Sequence, residues 1–238
     1  MKRILLPHGR GAWSPIAMKN SFGEWLAASL FAAVSCLFVM AYHAWWRAKP
    51  YSMGTLNESL AHTAYYCLAI AYSLGPFYRL GLLPARRVHV RRAFGIVGVI
   101  CAFLHVTVTL GPLWGEFGWN YLAVKHGDLT VLGAVCLALA IWMLKTSVGN
   151  AVRKLGQARW LRIQLTGLAL LPLVLWHFMT LGKIGKWLDW FHGVDTKPAP
   201  AGTLIIFVAG VLVIGLRLAD VLCHVRFQAD SATALDRQ

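Results

Sequence analysis

The chain has 238 residues, 58% of them apolar and only 13% charged, with a mean hydropathy of +0.59. Water-soluble domains carry about 45–50% apolar and about 25% charged residues, so this composition excludes a soluble domain and intrinsic disorder alike. Its 23 Lys and Arg against 9 Asp and Glu give a net charge of +14, yet the long apolar runs leave too little polar surface for a soluble nucleic-acid reader.

Residues 1–22 carry Pro7 and Pro15 and no sustained apolar run, so they are expected to be a cytoplasmic segment rather than a cleavable signal peptide. A bilayer core of about 30 Å takes about 20 mostly apolar helical residues to cross. Six segments qualify: 23–46, 59–80, 93–114, 127–147, 160–182 and 202–222. Turn or charge signals separate them, among them Lys49-Pro50, Leu83-Pro84, Gly115 to Gly118 and Pro198-Ala199-Pro200. No internal repeat or linker interrupts them. The expected architecture is an all-α membrane protein: one bundle of six transmembrane helices over residues 23–222, with a short tail over 223–238. Cys36, Cys67, Cys101, Cys136 and Cys223 lie in or at the ends of apolar stretches without a CxxC, and read as membrane-buried thiols.

Basic residues orient the bundle. Seventeen of the 23 fall in the N-terminal segment, the second and fourth loops and the C-terminal end. By the positive-inside rule both termini are expected in the cytoplasm, and the expected location is the cell inner (plasma) membrane as a multi-pass protein. Trp45, Trp46, Trp114, Trp119, Trp187 and Trp190 gather at the opposite interface, where Glu58, Glu116, Asp128, Asp189 and Asp195 read as solvated loop charges.

Histidine breaks the apolar pattern. His105 on the third span and His177 on the fifth lie about 18 and about 22 Å in from the cytoplasmic ends of their helices, roughly level with one another. An imidazole in hydrocarbon is costly without a partner, so such a residue is a functional candidate. Two level imidazoles on different helices either clamp a haem between them or each bond a neighbouring helix. Gly95, Gly98, Ala102, His105 and Thr109 form a stripe of small residues on one helix face, giving either close helix contact or room for a flat macrocycle. Pro172, five residues before His177, is expected to kink its helix. His62, near the outer end of the second span, is a candidate propionate partner or alternative ligand, or has a structural role; His43, His126 and His192 read as interfacial.

At these residues the chain resembles the ferric-reductase-like transmembrane family, and its MsrQ-like branch in particular. Arg91-Arg92-Ala93-Phe94-Gly95 followed by Phe103-Leu104-His105 is similar to that branch's Arg-Arg-x-Leu-Gly … Leu-His signature. Lys125-His126-Gly127-Asp128-Leu129-Thr130 is a degraded match to its Lys-Arg-Pro-Tyr-Ile-Thr segment. Thr146-Ser147, Arg153-Lys154-Leu155-Gly156 and Trp160 resemble its Thr-Ser … Arg-x-Leu-Gly … Trp run, after which His177-Phe178 falls at a haem-ligating position.

The resemblance covers about residues 58–183. It implies a haem-binding membrane subunit with His105 and His177 as axial ligands of a b-type haem. Where the branch has a further histidine, this chain has Gln164, a poor iron ligand. One haem nearer the outer face is therefore expected. An electron from a soluble cytoplasmic flavoprotein would then cross about half the bilayer without a relay. That favours a quinol donor, or a flavin near Arg91, Arg92, Arg153 and Arg159, residues that otherwise serve as topology-setting charge and headgroup contacts.

No GxGxxG following a strand pattern, P-loop, catalytic triad or paired carboxylate is present. The expected function is electron transfer by a b-type cytochrome without a catalytic module of its own. Its partners would be membrane lipid, a quinone or flavoprotein donor, and a redox protein at the outer face, within a larger membrane complex or outside one. The competing expectation is a haem-free structural or assembly subunit that retains the same fold.

Overall fold

A computed structural model describes residues 22–84, 90–118, 127–147, 154–180 and 183–235. All regular secondary structure among the described residues is helical, with no strand. The chain runs α1 (Phe22–Trp45), α2 (Met53–Arg79), α3 (Val90–Leu110), the single turn α4 (Trp114–Phe117), α5 (Gly127–Ser147), α6 (Gln157–Leu165), α7 (Gly167–Thr180), α8 (Lys183–Phe191) and α9 (Gly202–Leu235).

Among the described residues, five stretches are long and apolar enough to cross a membrane: α1, α3, α5, Arg162–Met179 across α6 and α7, and Gly202–Cys223 of α9. Between 17% and 29% of each is buried inside the protein, leaving most of its surface as an apolar face suited to lipid. The remaining expected span is α2. Its 27 residues reach about 40 Å, but it is too polar to qualify by composition and is instead the buried centre of the bundle. Thr55, Asn57, Ser59, His62, Thr63 and Ser73 are all buried along it. It packs most extensively on α3, and also on α1 and α9.

Local chemistry explains the helix ends. α2 begins at Met53, six residues before the expected start, because the Ser52 hydroxyl accepts from the Thr55 N–H at 3.2 Å and caps it. It stops at Gly81, whose φ of +74° suits a residue without a side chain, with the Gly81 N–H on Tyr78 O at 3.0 Å. The fifth expected span is two helices, and the break lies at Thr166 rather than at Pro172, which sits within α7. The Thr166 hydroxyl donates to Ile163 O at 2.6 Å and closes the end of α6. The last helix runs on to Leu235, through most of the expected tail. The segment 1–21, Trp119, Lys125, His126 and Arg153 lie outside the described residues.

At the tryptophan-rich end, α1 clamps the connection between α8 and α9. Arg47, 8% exposed, pairs with Asp195 at 2.7 Å and donates to Ala199 O at 2.8 Å. Lys197 Nζ donates to Arg47 O at 2.7 Å, and the Tyr42 hydroxyl to Pro200 O at 2.5 Å. Glu58 pairs with Lys49 Nζ at 2.5 Å and with His43 Nε2 at 3.4 Å. Two of the acids expected to be solvated are thus structural partners. Trp187, expected at the interface, is buried, with its indole N–H on Thr203 Oγ1 at 3.0 Å.

Candidate functional site

His105 lies on α3 and His177 on α7, and both helices flank α5. The two rings are near enough to interact electrostatically. His105 Nδ1 is 3.1 Å from the carbonyl oxygen of Asn57. A carbonyl can only accept, so Nδ1 carries the proton and Nε2 keeps its lone pair. The same turn of α2 holds the helix backbone on the other side: Asn57 Nδ2 donates to Thr109 Oγ1 at 2.9 Å, and that hydroxyl donates to His105 O at 2.9 Å.

His177 is also held by a main-chain carbonyl, but through a ring nitrogen other than Nδ1. Its ring bonds the main-chain carbonyl of Leu129, in the first turn of α5. Gly133, one turn further on, makes this reach feasible. A β-carbon there would lie 3.2 Å from His177 Cε1, so a larger side chain would press the ring off the helix. Ring N–H donation to a carbonyl is the arrangement that fixes the tautomer of a metal-ligating histidine and raises the basicity of its other nitrogen. By donor chemistry His105, with its Nε2 lone pair left open, fits an axial position of a haem iron, whereas His177 would ligate either through Nδ1 or after giving up its bond to Leu129. Among the described residues, no group of three or more His, Cys, Asp and Glu is placed to hold a metal ion without such a cofactor.

The small-residue stripe serves the other alternative, close helix contact. A β-carbon on Gly98 would lie 3.1 Å from both Cys67 Cβ and Leu68 Cγ, and 3.2 Å from Ala64 O. The glycine lets α3 approach α2; at this level the stripe is not an opening for a macrocycle.

His62 joins a different assembly. It is 3% exposed, stacked on His43 with ring centroids 5.6 Å apart and on Phe178 at 5.9 Å. Phe178 also meets the His177 ring edge-on at 6.2 Å, so it borders both histidines. Gly202, at the start of α9, leaves space for the stack: a β-carbon there would lie 3.0 Å from His62 Cε1 and 3.6 Å from His43 Cε1. His43 is therefore buried between helices rather than interfacial. Its role was hidden in the sequence because Gly202 and Glu58 lie far from it along the chain.

Gln164 donates to Thr146 Oγ1 at 2.9 Å, and the Trp160 indole to Thr146 O at 3.0 Å. The Thr-Ser … Trp run is thus a mutual brace between α5 and α6. Arg91 turns towards Arg79 and Tyr72, whereas Arg159 is exposed. These helices define a multi-pass helical membrane protein. No family model matches the chain, and no curated protein does.

Proposed function

We propose that this protein is a membrane-embedded b-type cytochrome, with one haem held between α3 and α7 by His105 and His177. The observation that supports this reading is the shared arrangement of the two rings, each bonded to a main-chain carbonyl, on helices that flank α5. When bound, the haem would supply reversible one-electron chemistry. The chain's own residues supply the rest. Asn57 and Leu129 orient the imidazoles, and the apolar faces of α3, α5 and α7 keep water from the site.

On this reading the resemblance to ferric-reductase-like membrane subunits is one of function as well as sequence. The orientation by basic residues puts the site towards the outer leaflet of the inner (plasma) membrane. A quinol or a flavin would donate, and a redox partner at the outer face would accept. The test is the spectrum and haem content of the full chain purified in detergent. A Soret band, a sharp reduced α-band and one haem per chain are expected, and His105→Ala and His177→Ala each remove most of that haem. Undiminished haem in both variants, or two haems per chain, would overturn the assignment.

A haem-free assembly subunit is the second reading. It is favoured by the tight seating of His177 against Gly133 and by the bond of its ring to Leu129, both of which hold the ring within protein. A colourless, folded preparation would support it.

A further inference from the structure

The opposite, basic end of the bundle concentrates charge where helices meet. Arg79 ends α2, Arg91 lies in the first turn of α3, and Arg217 lies on α9. Two of these guanidiniums converge above Gly75. A β-carbon on that residue would lie 3.7 and 3.8 Å from Arg79 Nη1 and Nη2, and 3.8 Å from Arg91 Nη1. The third sits three residues back on the same face of α2, with the Arg217 guanidinium carbon 5.5 Å from the centre of the Tyr72 ring. Arg217 interacts electrostatically with both Arg91 and Arg79.

One acid answers these three cations. Asp220, 5% exposed, accepts from Arg79 Nε at 2.7 Å through Oδ1 and from Arg79 Nη2 through Oδ2. Among the described residues it is the acid that acts on Arg217. Arg217 Nε and Nη2 are buried and meet no hydrogen-bond acceptor among the described residues. Like charges held together away from water repel, and buried guanidinium donors without acceptors are costly. An assembly with two more cations than anions is therefore built to receive an anion.

We infer that Arg79, Arg91 and Arg217 form a binding site for a phosphate group, between α2, α3 and α9. The guanidinium fork matches phosphate oxygens in pairs, and basic pockets between membrane helices bind phospholipid headgroups. The site lies at the far end of the bundle from Trp45 and the His43–His62 stack, and does not depend on the haem reading. The phosphate comes either from an anionic lipid headgroup or from a free phosphate ion, and the chemistry of recognition is the same.

The test follows thermal unfolding of the full chain in detergent at fixed ionic strength. Sodium phosphate is compared with sodium chloride, and short-chain phosphatidylglycerol with short-chain phosphatidylcholine. A ligand that binds the folded state raises Tm, and a rise of about 3 °C or more over the matched control is expected. A rise with phosphate, with or without the lipid, identifies the phosphate group itself as sufficient. A rise with phosphatidylglycerol only identifies a lipid headgroup. Arg91→Gln and Arg217→Gln should each cut the rise to less than about a third, and Arg217→Lys should retain part of it. No rise over either control, or a full rise in both glutamine variants, overturns the inference. Should one glutamine variant not fold, the other decides.

Discussion

The hydroxyl of Tyr72 on α2 occupies the space that a β-carbon on Gly167 would fill, at the start of α7. That hydroxyl also donates to Met143 Sδ on α5 at 3.3 Å, so one side chain joins three helices beside the break at Thr166. Gly167→Ala should overpack this junction and cost about 1–3 kcal/mol. Tyr72→Leu added to it should recover part of the loss. Denaturation midpoints of the single and double variants check this, and simple additivity would count against a shared contact.

The seat of His177 can be altered without touching the histidine. Gly133→Leu should push the ring from the Leu129 carbonyl and, on the proposed haem reading, lower haem occupancy several-fold while the protein still folds. The ratio of Soret absorbance to protein absorbance reads the effect. Unchanged occupancy in a folded Gly133→Leu variant would show that this seat does not orient the ligand.

Arg79 and Asp220 form a bidentate pair whose acid is buried and whose base is partly exposed. Arg79→Gln removes both of the pair's hydrogen bonds from the buried carboxylate and should cost about 2 kcal/mol, below the usual range for a fully buried pair because solvent reaches the arginine. Arg79→Gln with Asp220→Asn should be more stable than Arg79→Gln by itself. A double-mutant cycle by chemical denaturation measures the coupling.

Acid should weaken the clamp at the tryptophan-rich end. The hydrogen bond from Arg47 holds the Asp195 carboxyl below the usual carboxylate range, assisted by the Lys197 N–H and by the charges of Arg47 and Lys197. A lowered folded-state value means a contribution that is complete above about pH 4, the range of an unperturbed carboxyl, and is lost as pH falls through the lowered value. Asp195→Asn should therefore lose less stability than the native chain between pH 5 and pH 2, judged by Tm. Parallel acid profiles would remove Asp195 from the clamp's stability.

Apolar runs make helices legible, and the fourth expected segment, 127–147, coincides with α5. What escaped the sequence depended on contacts distant along the chain. The early start of α2 was masked by Glu58, which reads as a solvated loop charge until Lys49 and His43 supply its partners. Beside the break at Thr166, Gly167 makes room for the Tyr72 side chain from another helix. His105 and His177 stood out as polar groups in hydrocarbon. Their orienting partners, two main-chain carbonyls, carry no residue signature, so the sequence singled out the two histidines without showing what holds them. The pairing of Asp195 with Arg47 was hidden for a similar reason, since nearly 150 residues separate them.

The least apolar long helix is also the most enclosed, and this bears on how the protein is made. Taken by itself, α2 would carry Asn57, Glu58 and His62 towards lipid, where a bilayer offers them no hydrogen-bond partners. Beside its neighbours, Asn57 bonds Thr109 and His62 stacks on His43, so α3 and α1 supply what the solvent cannot. The three-helix group, α1 to α3, is the smallest unit that gives Asn57 its bond to Thr109 and His62 its stack on His43. A ribosome-bound intermediate truncated after α2 should accordingly leave that helix accessible from the aqueous side, and extension through α3 should seal it in.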